Sequence, residues 1–267
     1  MKRAPKRIRP RALTRSRVGS ARDNQALGDL WLAGMLTTGQ IERLAFPSRR
    51  RAQRRLRAYL DHGLVRAYLQ GEALHRDSVW TLTALGLEFL EDRGERIEGA
   101  RVYRPNARSR KLSHGLLVRE VTVSLLLAER AGFFELRDLR HDSDLGSEPA
   151  LAAAGIVPDG LALLRAGERT IPVLWETVSS EQPLGQARSK LLAYVRAVSG
   201  GSAFFRHPEL AVLFIFENVS RLERFAALPE ATHLGPRLHT LTVDEARDFR
   251  ALAGRVMPEV NGFRPVR

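Results

Sequence analysis

The sequence predicts an α/β protein, α+β overall, with an N-terminal winged helix-turn-helix followed by a mixed α/β domain. Three observations carry that expectation. Residues 23–95 show helical apolar spacing in three segments and then two apolar-alternating strands. A polar, aperiodic stretch follows at 96–112. Beyond it, helices alternate with short apolar strands in the order helix, strands, helix, strand, strand, helix. At 267 residues the chain is long enough to bury two cores.

Residues 1–22 lack apolar periodicity and contain Pro5 and Pro10, so they read as a disordered basic arm able to touch DNA. Leu27, Leu30, Trp31 and Met35 mark a first helix, with Asp23 or Asn24 as its cap. Thr37-Thr38-Gly39-Gln40 turns into a short second helix, with Ile41, Leu44 and Phe46 inward and Pro47 as its stop. Ser48 caps a third helix that runs to about His62, apolar at Leu56, Tyr59 and Leu60, and Gly63 ends it. Strands at 64–69 and 78–82 form a hairpin around Gln70-Gly71-Glu72, and a helix at 84–91 closes the unit. Helix-turn-helix plus hairpin is a winged helix.

After the linker at 96–112, the second domain spans 113–267. Ser113 caps a long helix at 116–130, ended by Gly132. A strand at 133–139 and a Gly/Ala/Pro-rich loop at 143–155 follow. Strands at 161–164 and 171–175 flank the turn Ala166-Gly167-Glu168. A helix at 183–197, strands at 211–216 and 239–241, and a helix at 243–256 complete it. The chain contains no internal repeat.

Composition narrows the function. No apolar run approaches the roughly 18 residues of a membrane span, and the N-terminus has no hydrophobic signal region, so no membrane partner is expected. The absence of cysteine excludes disulfides and thiolate metal sites and fits a reducing cytoplasm. The formal charge of +13 is local: residues 1–22 hold nine bases and no acid, residues 49–57 six arginines and no acid, and residues 58–267 are neutral. That is the footprint of a dedicated phosphate-binding face. Only four of the 43 bases are lysine, which singles out Lys190 in the second half.

The third helix opens on Arg49-Arg50-Arg51-Ala52-Gln53-Arg54-Arg55-Leu56-Arg57. With Ala52, Leu56 and Tyr59 or Leu60 inward, Arg50, Arg51, Arg54, Arg55 and Arg57 point out. A recognition helix presents its N-terminal residues to the major groove, and arginine suits both guanine and phosphate there. The expected contact set is Arg49, Arg50, Arg51, Gln53, Arg54, Arg55 and Arg57, with Arg66 and Arg76 on the wing. A solvated basic face is the alternative, but six arginines without an acid repel one another unless an anion neutralises them.

Pro158-Asp159-Gly160, then Glu176, then Lys190 is an acid–acid–lysine pattern. Phosphodiester hydrolysis assisted by Mg²⁺ needs hard oxygen ligands and a cation against the charge that develops on phosphorus. Asp159 and Glu176, on adjacent strands, could share an ion, with Glu120 as a third carboxylate. Gln186, Lys190 and Tyr194 share one helix face, so Lys190 could point back at the acids. The bland alternative makes Asp159 a turn residue, Glu176 a strand-end acid and Lys190 a surface charge. His114 reads as a satisfied polar residue, and the lack of a glycine-rich phosphate loop argues against an ATP site.

The winged helix with Trp80-Thr81-Leu82-Thr83-Ala84-Leu85-Gly86, followed by His114 and Glu120, Val157-Pro158-Asp159-Gly160, Trp175-Glu176, and Lys190-Leu191-Leu192-Ala193-Tyr194, resembles the replication-relaxation family of bacterial plasmid and mobile-element proteins. The resemblance covers roughly residues 25–200. It implies a restriction-endonuclease-like second domain of the PD-(D/E)xK type, with Asp159 and Glu176 as its acids, Glu120 as a helical acid and Lys190 as a lysine moved onto the following helix. The chain departs from the family two residues after the glutamate, where Val178 replaces an acid or lysine.

The function expected from these features is a duplex-DNA-binding protein of a plasmid or mobile element, acting in plasmid replication, DNA relaxation or their control. DNA binding itself needs no cofactor. The alternatives are a Mg²⁺-dependent endonuclease or nickase using Asp159, Glu176 and Lys190, and a winged-helix transcriptional regulator. Replication or transfer proteins are the expected protein partners, and a homodimer fits the same reading.

Overall fold

The computed structural model describes residues 18–68, 77–95, 102–103, 109–200 and 204–257. Contacts divide the chain into two compact units, 1–119 and 120–267. The division falls inside a helix, Ser109–Arg130, seven residues past the boundary expected from the polar stretch at 96–112.

The first unit follows the order α1 (Ala21–Ala33), β1 (Leu36–Thr37), α2 (Thr38–Ala45), α3 (Arg49–Asp61), β2 (Val65–Tyr68), β3 (Val79–Leu82) and α4 (Ala84–Glu91). Its sheet has the order β1-β3-β2, with both pairings antiparallel. This is the expected winged helix with one strand added: β1 is two residues long, too short to show alternation in sequence. The wing tip, including Arg76, lies outside the described residues. So does the arm at 1–17, whereas of residues 18–22, expected to belong to that arm, Ser20 caps α1 and Ala21 and Arg22 open it. The cap of α1 is Ser20 rather than Asp23 or Asn24: its side chain accepts from Asp23 N, and Asp23 returns the bond to complete a capping box. Thr37 and Gln40 close a second capping box at α2. Ala52, Leu56, Tyr59 and Leu60 are all buried, as the third-helix periodicity predicts.

The helix α5 (Ser109–Arg130) starts four residues before its expected cap at Ser113. Its first half belongs to the first unit: Leu112 and Leu116 pack with Met35 and Val79, and Arg119 Nε donates to the Ala33 carbonyl at 2.8 Å.

The second unit continues with β4 (Glu135–His141), α6 (Asp142–Leu145), α7 (Pro149–Ala154), β5 (Gly160–Ala166), β6 (Arg169–Val178), α8 (Leu184–Gly200), β7 (Ala211–Phe216), α9 (Val219–Ala226), β8 (Leu238–Thr242), α10 (Val243–Arg247) and α11 (Phe249–Val256). The sheet runs β4-β5-β6-β7-β8, antiparallel through β6 and parallel from β6 to β8. Helix, three-strand meander, helix and parallel strand is the order expected of a restriction-endonuclease-like domain. Ile171–Val178 and all of β7 are buried; β7 reads as an unbroken apolar run, as a central strand covered on both faces must, whereas β6 carries Glu176 and Thr177 within its buried stretch. Leu174 and Val178 of β6 pack with Ala187, Leu191 and Tyr194 of α8 in one core.

Three local expectations change. The loop at 143–155 holds α6 and α7, both too short to carry a periodic signal. The last helix is two, because Asp248 leaves helical conformation and caps α11. The helix α9 was not foreseen, although Asn218 caps it in the usual way.

Candidate nucleic-acid interface and nuclease-type site

Each arginine of α3 has its own environment. Arg50, Arg51, Gln53 and Arg54 are exposed, and among the described residues none of these three arginines pairs with a carboxylate. Arg55 was expected to point outward and does not. Its Nε and Nη2 donate to Asp23 at 2.9 and 2.6 Å, while its guanidinium lies 5.5 Å from the Tyr59 ring centre. Arg57 pairs with Asp61 at 3.0 Å, one turn along the helix, and Arg49 pairs with Asp77 and, at 3.8 Å, with Glu42. Arg66 is half-buried on β2.

The self-repulsion expected of six arginines is therefore partly relieved by acids from elsewhere in the unit. Sequence reading missed those partners because Asp23 and Asp77 are distant along the chain. What remains for a ligand is Arg50, Arg51, Gln53 and Arg54, on the second helix of the helix-turn-helix.

Asp23 anchors this arrangement. It is buried, and it accepts from Tyr59 Oη at 2.6 Å and from the backbone of Ser20 and Gly19 at 2.8 and 3.0 Å, besides Arg55. Burial alone would raise its pKa, but the donors from Tyr59, Arg55, Gly19 and Ser20 outweigh burial and hold the carboxyl well below the usual range.

In the second unit, the register Gly160↔Trp175 sets Asp159, immediately before β5, beside Glu176 of β6. Pro158-Asp159-Gly160 is not a turn: Asp159 N donates to the Trp175 carbonyl at 3.0 Å, and β5 begins at Gly160. The glycine is required by packing, since a Cβ there would fall inside the Trp175 indole. Glu176 lies within β6 rather than at its end, because the strand runs on to Val178.

Both acids are inside, Asp159 at 7% exposure and Glu176 at 1%. Thr177 donates to Asp159 Oδ2 from its backbone N at 2.6 Å and its hydroxyl at 2.8 Å. Tyr194 Oη donates to Glu176 Oε1 at 2.9 Å, and Lys190 Nζ bonds Glu176 Oε2 and lies 3.9 Å from Asp159 Oδ1. Lys190 is on α8, one turn before Tyr194, and so meets the acids from the helix side of the sheet. Val178 fills the in-strand position and is buried in the core with Leu191 and Tyr194.

Burial first, and then the charge of Asp159, pushes the Glu176 carboxyl up to about 8 against the pull of Lys190. Burial would lower the Lys190 pKa, but the carboxylates of Glu176 and Asp159 raise it overall. Burial raises Tyr194 well above the usual phenol range, and the Glu176 charge adds to it. Asp142, at the start of α6, adds a further negative charge that Lys190 feels, and its backbone N donates to the Asp159 carbonyl at 3.3 Å.

Asp142 and Thr177 went unnoticed in sequence. The strand register alone could have found them, by placing the end of β4 and the residue after Glu176 against Asp159.

Glu120 does not join this pair. It is buried and faces Arg247 at 3.4 Å, and no group of three or more His, Cys, Asp or Glu that could hold a metal occurs among the described residues. The expected ligand set Glu120, Asp159 and Glu176 is thus not assembled. As arranged, the site does not fit Mg²⁺: Lys190 stands between the carboxylates, and Glu176 offers both oxygens to donors already present. No metal-assisted step follows from this geometry.

A helix-turn-helix with an open arginine face, followed by a mixed α/β unit that carries a buried acid–acid–lysine cluster, is the class of protein that the fold and the site define. The chain belongs to the replication-relaxation family, whose description, Replication-relaxation, matches residues 27–204. No curated protein matches it. Among solved structures it is similar to the restriction endonuclease FokI, at 16% identity and a TM-score of 0.33 over 90% of this chain and 46% of that one. FokI bound to DNA matches at 15% identity and a TM-score of 0.30, over 88% and 45%. The chain thus spans less than half the length of these solved chains.

Proposed function

We propose that this protein grips duplex DNA through α3 and acts in the replication or relaxation of a plasmid or mobile element. One observation carries the reading: Arg50, Arg51 and Arg54, with Gln53 among them, stand exposed and without carboxylate partners among the described residues. A helix-turn-helix offers that face to the major groove, and arginine grips phosphate or guanine there. Family membership supports the replication context. The nuclease-type unit serves as a scaffold or second contact. The test is duplex retention that weakens steeply with salt, as phosphate contacts require. Binding that ignores salt would count against it.

A second reading, Mg²⁺-dependent nicking, is favoured by one fact: Lys190 reaches both Asp159 and Glu176, as a relocated nuclease lysine must. It requires Lys190 to withdraw from Glu176 and admit a cation. Mg²⁺-dependent nicking of supercoiled plasmid by the wild type, lost on replacing Asp159 and Glu176 together, would establish it.

A further inference from the structure

We infer that the groove between the first turn of α1 and the exposed side of α3 is a phosphate socket, whose ligand is a backbone phosphodiester of bound DNA. This rests on the duplex-binding reading above and adds to it a second element, α1, outside the recognition helix.

The groove encloses about 760 Å³, enough for a phosphate with its adjoining sugar, and is lined by Arg22, Arg51, Arg54 and Arg55 around Asp23 and Phe46. Its charge decides the ligand. Among the described residues Asp23 is the only acid in the lining, and Arg55 holds it with two hydrogen bonds, so this pair is neutral to a visitor. Arg22, Arg51 and Arg54 are exposed and, among the described residues, pair with no carboxylate. Three arginines unpaired among the described residues thus line one concavity, and Asp23, the acid beside them, is already held by Arg55.

Such a cluster repels itself until an anion enters, and guanidinium forks match phosphate oxygens. Phe46 adds an apolar residue to the lining, suited to a sugar rather than to a second charge. The Asp23 network with Ser20, Arg55 and Tyr59 ties the first turn of α1, which carries Arg22, to α3 before any ligand arrives. A phosphate contact of this kind adds affinity without sequence preference.

Arg22→Gln in the full chain tests the idea, because Arg22 is exposed and lies on α1, away from the α3 stripe. The plot of log K against log salt for duplex DNA should become shallower by about 0.9, the value for one phosphate contact. Affinity at moderate salt should fall roughly fivefold to tenfold, by the same factor on unrelated duplex sequences, with thermal unfolding unchanged. If the wild type binds duplex and the variant matches it in slope and affinity, the socket is overturned while the recognition helix stands. If the wild type fails to bind duplex, calorimetry with pyrophosphate decides: binding by the wild type that is lost in the variant upholds a phosphate site, and no binding overturns it.

Discussion

Glu176 shows how much a single side chain can decide. It lies inside the sheet-helix core at 1% exposure, touching Tyr194, Lys190 and the charge of Asp159. Its folded pKa, about 8, stands above the ordinary carboxylate value, so the folded state binds a proton that the unfolded chain releases. The second unit should therefore lose stability as pH rises from about 5 to about 8, and Glu176→Gln should flatten that slope in denaturant titrations. A slope unchanged in the variant would assign the titration to another group. Gly160 makes a purely steric prediction: Gly160→Ala forces a Cβ into Trp175 and should destabilise by about 1–3 kcal/mol, read as a lower thermal midpoint. The sequence pattern named Asp159, Glu176 and Lys190 because acid and lysine types are visible in letters. It could not show that Thr177 and Tyr194 hold the acids, since that knowledge needs strand register and helix phase.

Elements divide along the same line. The apolar face of α3 was legible from Ala52, Leu56, Tyr59 and Leu60, and β7 from its apolar run. The polar face was not, because charge partners come from outside the helix. Asp23 on α1 converts Arg55 from a DNA contact into a structural pin. Removing one partner of such a buried pair costs about 3–5 kcal/mol, so Asp23→Ala should lower the unfolding free energy by about that amount. The depressed Asp23 pKa fixes the pH dependence. Its contribution is present above the unfolded carboxylate value, near pH 4, and is lost as pH falls through the folded value. Unfolding of the variant should accordingly be less sensitive to acid than that of the wild type. Equal acid sensitivity would show that Asp23 does not carry it. Short elements escaped the sequence for a simpler reason: β1, α6 and α7 span fewer residues than a period needs to declare itself.

At the scale of the whole molecule, the charge map and the structure point the same way. The excess of +13 resides in residues 1–57, and residues 58–267 are neutral. The second unit, then, adds a nuclease-type sheet without a basic excess of its own. Its acid pair is occupied by Lys190, so the protein with Mg²⁺ should leave the strands of a supercoiled plasmid unnicked. The mixed α/β class was legible because element order survives in periodicity, and the resemblance to the replication-relaxation family was carried by short segments in the right sequence. The division between units was less so: it falls within α5, whose apolar residues run on through both cores without a break in pattern.

The central claim is that α3 holds duplex DNA through Arg50, Arg51 and Arg54. The direct measurement is retention of duplex DNA at moderate salt by the wild type and by a variant with these three arginines replaced by alanine, both checked for equal thermal unfolding. All three side chains are exposed, so the fold should be untouched while retention is lost. A variant that folds and binds duplex as tightly as the wild type would contradict the account.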